Sequence, residues 1–228
     1  MFHHARTLAL VLAPVLAVCL GPAAARSGQA GAEQTYDLLF RTGTLDGIDG
    51  AGALVYERDV VSALSPEAAE RDSGTVVLKL GDGVEDMARL ELRQGDRHRG
   101  LGVFPASVGN PMIMYFYESA VRDMAEAAGG SPFYIRNRVK DALIRPSEME
   151  TGEAVFDGRT VPTTTIALRP FAEDPNRDRM KGFGDLVLSV TMSEEVPGWY
   201  LSLVAEATGA DGPVYRSSLT LDGVEAAQ

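Results

Sequence analysis

The chain has 228 residues, with 21 basic and 32 acidic side chains, a net charge of −11 and a sequence pI near 4.7. Nucleic acid and anionic lipid are bound through an excess of Lys and Arg, so this balance argues against either as partner of the surface as a whole and leaves room only for local basic patches. Nearly half of the side chains are apolar, ample for a core, and the length suits one domain.

The amino terminus has the order of a secretory signal: a short basic head at 1–6, an apolar run from Leu8 to Leu20, then Gly21-Pro-Ala-Ala-Ala25. That run falls short of the roughly 20 residues a bilayer-spanning helix needs, and small residues at Ala23 and Ala25 meet the cleavage requirement. Residues 1–25 are therefore expected to be removed, leaving 26–228 as a single periplasmic domain with no transmembrane segment. Leu16-Ala-Val-Cys19 has the outline of a lipobox, but Val18 stands where Gly, Ala or Ser is required, so lipidation of Cys19 is not expected. Cys19 is the only cysteine, and the processed chain has no disulfide or thiol chemistry.

Tyr36, Leu38 and Phe40 alternate and predict a strand, joined through the glycine-rich 43–52 region to an extended run at 53–56 as a hairpin. Ser65-Pro66 starts a short helix that Gly74 ends. Strands follow at 75–80, 87–92 and 98–104, with turns at 81–83 and 94–96, and form a meander. Asn110-Pro111 and Gly129-Gly130 bracket a helix of about 18 residues whose buried line is Ile113, Phe116, Tyr117, Ala120, Met124 and Ala127. On another face Glu118, Arg122 and Glu126 are spaced for charge pairs along the helix. Ser131-Pro132 opens a second helix lined by Ile135, Val139 and Leu143, with Pro146 beyond its end, so the two make a helical hairpin. Strands resume at 153–157, 161–168, 186–192, 200–206 and 214–221, with 171–184 read as a long solvated loop or short excursion.

Strands, a central helix pair and strands again predict an α+β fold: a mainly antiparallel, curved β-sheet with the helical hairpin packed on one face. Over 34–221 this layout resembles the open half-barrels of the lipoprotein-carrier superfamily, of LolA and LolB types, and related periplasmic domains. The resemblance is one of layout and transfers no functional residue. It implies a half-barrel with the hairpin against its concave face and an apolar interior able to hold acyl chains.

No catalytic constellation stands out. His98 is the only histidine beyond the signal, and there is no Gly-x-Ser-x-Gly elbow to supply a nucleophile. Asp174, Asn176 and Asp178 alternate as in a calcium loop, but Arg179 stands where glycine is needed and Asp185 where a bidentate glutamate belongs. No phosphate-cradling glycine motif precedes a helix, and no cofactor is expected. Two features point beyond packing. The turn 112–117 is apolar all round, which suits either a covered helix or a pocket wall. Arg136, Arg138, Lys140 and Arg145 place four cations within ten residues, expected mainly to pair with the chain's own carboxylates. Met114 and Tyr117 as pocket wall, with Arg136 or Lys140 at its mouth, form the candidate site for an amphiphile. The expectation is a non-enzymatic periplasmic protein that binds a lipid-like or hydrophobic small molecule or an envelope protein. The alternatives are an envelope scaffold without a ligand and a hydrolase whose carboxylates meet only in the fold.

Overall fold

The structure is a computed structural model that describes residues 25–48, 52–81 and 87–226. The expected signal segment at 1–24 and parts of the 43–52 and 81–83 turn regions lie outside the described residues. Among those described, ten strands form one antiparallel sheet: β1 (Arg26–Ala30), β2 (Gly52–Ser62), β3 (Gly74–Leu80), β4 (Met87–Gln94), β5 (Arg97–Pro105), β6 (Ser147–Phe156), β7 (Arg159–Leu168), β8 (Val187–Met192), β9 (Tyr200–Gly209) and β10 (Gly212–Ala226). Their order is β1-β6-β7-β8-β9-β10-β2-β3-β4-β5, so the curved sheet stays unclosed, a half-barrel with β1 and β5 as its edges. Four helices accompany it: α1 (Ala32–Leu39), α2 (Pro66–Asp72), α3 (Met112–Ala128) and α4 (Pro132–Leu143), with α3 and α4 as the expected hairpin on one face of the sheet.

Alternation in the strands decides which side chains meet the helices. Leu54, Tyr56, Leu78, Leu90, Leu188, Val190, Leu203 and Ala205 are fully buried, while strand neighbours such as Glu57, Ser189, Ser202 and Glu206 are not. Met112, Ile113, Tyr115, Phe116 and Tyr117 are buried with them, so the first turns of α3 are covered on nearly every side. Asn110 caps that helix from one position further out than expected: its Oδ1 accepts the Met112 N–H at 3.0 Å, and its Nδ2 donates to the Gly198 carbonyl at 2.8 Å and to Tyr56 Oη at 3.2 Å. The Gly198 turn strongly favours glycine. Its φ is +76°, and a Cβ there would sit 2.3 Å from Leu54 Cδ1.

Two expectations are corrected. The strand expected at Tyr36, Leu38 and Phe40 is helix α1, because Thr35 and Leu39, four residues apart, are the buried pair, and Tyr36 stacks on Phe40 with ring centroids 4.8 Å apart. A five-residue alternation cannot by itself exclude the helical period, and Ala, Glu, Gln and Leu favour the helix. Glu118, Arg122 and Glu126 make no ion pair within 4 Å along α3, although the Arg122 charge helps to lower the pKa of both glutamates. Glu118 holds Arg136 of α4, Glu126 holds Arg71 of α2, and Arg122 lies 3.7 Å from Asp123. The 171–184 segment takes the second of its expected forms, a short excursion of turns that is mostly exposed but anchored by buried Phe171, Met180 and Phe183.

Candidate functional site

The structure separates the four residues expected to share a pocket. Tyr117 is buried at 5% exposure, and its hydroxyl has no hydrogen-bond partner among the described residues. Burial drives the phenol's pKa well up, so Tyr117 is a neutral core residue. Met114 is 47% exposed. Arg136 donates from Nε and Nη2 to the two carboxylate oxygens of Glu118 at 2.7 and 2.8 Å, and Lys140 is exposed one turn further along α4. Met114, Arg136 and Lys140 thus belong to the outer surface of the hairpin, apart from Tyr117.

A polar cluster that sequence reasoning missed lies under α3. Arg58, on β2, is 1% exposed. Its guanidinium donates to Tyr115 Oη and to Asp123 Oδ2 at 3.2 Å, and Tyr215 donates to the same Asp123 oxygen at 2.8 Å. Burial opposes the charge of Arg58, but Tyr115 and Asp123 outweigh it and raise its pKa. Burial raises the Asp123 carboxyl above the usual range despite Arg58 and Tyr215. Beside it Asp72 accepts from Arg71 and from Arg99, each at 2.7 Å. A cavity of about 10 Å³ is lined by Ser62, Asp72, Asp123 and Tyr215 among others, room for no more than one water. The cluster is paired internally and too tight for a substrate, so its chemistry is that of a polar joint between α2, α3 and the sheet.

That joint gives acid stability a definite shape. Burial would raise Asp72, but Arg71 and Arg99 overcome it and hold the carboxyl at about 2, below its ordinary 3.8. A depressed carboxyl contributes stability that is complete above its unfolded pKa and is lost as pH falls toward the folded one, here roughly 2 kcal/mol between about pH 4 and pH 2. Asp123 has the opposite sign, since its raised pKa makes its ionised form costly at neutral pH. Thermal melts of the Asp72→Asn variant should show lower stability at neutral pH and a flatter profile below about pH 4; a variant that keeps the wild-type slope there would remove Asp72 from this role.

The helix-free face of the sheet carries an uninterrupted polar row. Following register partners from edge to edge, Ser27, Glu150, Thr165, Thr191, Ser202, Thr220, Glu57, Thr75, Arg93 and His98 stand opposite one another, one per strand. Thr165 and Thr191 share a hydrogen bond at 3.0 Å, and Thr75 donates to Glu57 at 3.4 Å. At the end of the row His98 Nδ1 lies 3.0 Å from Glu91, itself held by Arg93 at 3.1 Å, an exposed structural pair. Over β6 to β10 the row floors a groove of about 790 Å³. Hydroxyls of Thr163, Thr165, Thr191, Ser202 and Thr220 line it together with apolar Ala154, Val155, Phe156, Leu201 and Val204, and with Glu150, Glu153 and Arg216. The volume lies within the usual range of small-molecule sites. The run of threonines in β7 was visible in sequence, but the ladder is made by register between strands distant along the chain.

A smaller pocket of about 320 Å³ adds Arg169 to Arg138 and Arg145, which sequence reading had grouped. All three are matched by carboxylates: Arg138 by Asp174 at 2.7 Å, Arg145 by Glu173 at 3.7 Å and Arg169 by Glu148 at 2.9 Å. Asp174 also accepts from Tyr134 Oη at 2.7 Å and from the Asn176 N–H at 2.8 Å, so the residue that opened the calcium-like spacing anchors α4 to the following loop. Among the described residues no group of three His, Cys, Asp or Glu side chains is placed to hold a metal, and no helix is long and apolar enough to cross a membrane.

No family model matches the chain, and no curated protein matches it. Among solved structures it is similar to the Mycobacterium tuberculosis lipoprotein LppX, with 10% identity, coverage of 78% of this chain and 87% of that one, and a TM-score of 0.31. At that TM-score nothing known of LppX is carried over to this chain.

Proposed function

We propose that this chain is an exported, non-enzymatic binding protein of the cell envelope, processed after Ala25, whose ligand is an amphiphilic, lipid-like molecule held in the groove on the helix-free face of the sheet. The observation that carries the reading is the mixed lining of that groove: hydroxyls across its floor suit a polar head, and Val155, Phe156, Leu201 and Val204 suit an apolar part. The cavity beside Asp123, between α3 and the sheet, is by contrast too small for such a ligand. The hairpin residues first expected to line the site take no part in this reading.

Titration of the protein with a fluorescent fatty acid tests it. Saturable binding is expected, and Ser202→Trp, which fills the groove, should weaken it at least tenfold, about 1.4 kcal/mol. Met114→Gln and Arg136→Glu should leave it unchanged. Mass spectrometry of the protein recovered from the periplasm adds two readouts: an amino terminus at Arg26 and a co-purifying amphiphile. An acylated Cys19 would overturn the processing, and absence of saturable binding would put in its place an envelope scaffold that works through its outer surface.

A further inference from the structure

Strands β6 and β7 pair from Glu148 opposite Ala167 to Phe156 opposite Arg159, but their neighbours cover only part of that ribbon. On β6 the pairing of β1 stops at Thr151, opposite Arg26, and on β7 the pairing of β8 starts at Thr164, opposite Met192. Between those points 152–163 projects as a two-stranded ribbon, with no further strand on either edge among the described residues. Its turn is Asp157-Gly158, with φ of +48° and +70°, a two-residue hairpin turn whose flanking Phe156 and Arg159 form a hydrogen-bonded pair. Such pairs alternate along an antiparallel ladder, so Ala154–Val161 and Gly152–Thr163 are bonded across the ribbon, while Val155–Thr160 and Glu153–Pro162 are not. The backbone N–H and C=O groups of Glu153 and Val155 therefore point away from β7, to the open edge of β6.

The two edges of the ribbon differ. On the β7 side Pro162 stands where an outward N–H would be, a device that keeps other strands off an exposed edge. On the β6 side Gly152 to Phe156 contains no proline and pairs with β7 without a bulge, so it is a template for one more strand. β1 already uses the first half of that edge, antiparallel, and with processing after Ala25, as proposed above, nothing precedes Arg26 to cover the second half. The open stretch forms one wall of the groove of about 790 Å³, which leaves space beside it. Val155, on this stretch, is 73% exposed. Glu150 and Glu153 make no ion pair within 4 Å among the described residues, whereas Arg216 in the same groove is held by Glu206 at 3.3 Å. Unpaired backbone groups, an exposed apolar side chain and two unmatched carboxylates thus lie along one free edge.

We infer that the open edge of β6 takes up an extended peptide segment of a partner as an additional antiparallel strand, in line with β1. Main-chain hydrogen bonds to Glu153 and Val155 hold the segment, and its side chains opposite those two residues set the preference. Running antiparallel to β6, it meets Val155 first and Glu153 two residues later, so it carries an apolar residue followed two positions on by Lys or Arg. Beyond that cation it turns away, because Arg26 of β1 already stands opposite Thr151. The contact rests on processing after Ala25 but does not depend on the groove holding an amphiphile.

Fluorescence polarisation of a labelled Thr-Val-Thr-Lys-Thr peptide, titrated with the chain that begins at Arg26, tests the strand addition. Saturable binding is expected. Methylation of the peptide's Val and Lys amide nitrogens, which face β6, should weaken it at least tenfold, whereas methylation of the central Thr nitrogen, which faces away, should leave it unchanged. Exchange of the peptide's Lys for Glu should also weaken it about tenfold. Val155→Pro removes an outward N–H that makes no bond to β7 and should weaken binding at least tenfold. Thr160→Pro makes the same change on the opposite edge of the ribbon and should leave binding unchanged. Absence of saturable binding, or binding indifferent to methylation of the Val and Lys nitrogens, would overturn the inference. So would a dimer dissolved by Val155→Pro, which would assign the edge to a second copy. The fatty-acid titration of the same chain decides the groove reading separately, so the failure of one is distinguishable from the failure of the other.

Discussion

Arg58→Ala is expected to destabilise the protein by about 3–5 kcal/mol, the cost of leaving a buried carboxylate without its counter-charge. The carboxylate is that of Asp123, and the same change strips Tyr115 of its guanidinium donor. Urea denaturation should show a lower midpoint at unchanged slope. The double change Arg58→Met with Asp123→Leu should recover a large part of the loss, because replacing both partners by apolar groups leaves neither of them as an unpaired buried charge. Recovery should stop short of complete, since Tyr115 and Tyr215 would then keep hydroxyls without their present partners. A single Arg58→Ala change costing under about 1 kcal/mol would show that the guanidinium is hydrated rather than enclosed.

Phe116→Ala should cost about 3–5 kcal/mol, because the ring is 1% exposed among α3, Tyr117 and the sheet core, and its removal leaves a cavity that its neighbours only partly fill. The melting temperature should fall by on the order of 10 °C for a domain of this size. Arg122→Ala on the same helix is the control. That side chain is half exposed and 3.7 Å from Asp123, so its loss should cost well under about 1 kcal/mol. If both variants melted together with the parent, the buried side of α3 would be misassigned.

What could be read from sequence divides along a physical line. The hairpin was legible because its signals are local: Pro111 and Pro132 at the starts, Gly129-Gly130 at the turn, and Ile135 and Val139 at helical spacing. The meander β3–β4–β5 was legible for the same reason, short alternating runs between turn residues. Helix α1 was not, since a segment so short satisfies both periods until Thr35 finds Ser147 across the chain at 2.7 Å. β1 went unseen because Ser27, Gly28 and Gln29 carry no apolar alternation, as suits an edge strand. The Arg58 joint left one faint signal, a charge at the same strand parity as Leu54, Tyr56 and Val60, but its partners lie on α3 and β10. The hydroxyl row needed the register of every strand pair. Assigning Met114 and Tyr117 to one wall failed because residues three apart on a helix can fall on either side of a packing boundary set by the neighbouring helix, which spacing does not locate.

The strand order also dictates the sequence of assembly. Two blocks can form from neighbouring hairpins, β2 to β5 early in the chain and β6 to β10 late in it, but the seam between them is β2 on β10, pairing Ser62 with Tyr215 and Gly52 with Ala226. Edge strand β1 likewise waits for β6, with Arg26 opposite Thr151. Pairings between ends so far apart must close long loops before they gain contacts, which places them late in folding and makes the whole slow. Until residue 226 has emerged, the first block keeps one flank of β2 unpaired, and a chain delivered amino terminus first cannot complete its sheet before its last strand arrives.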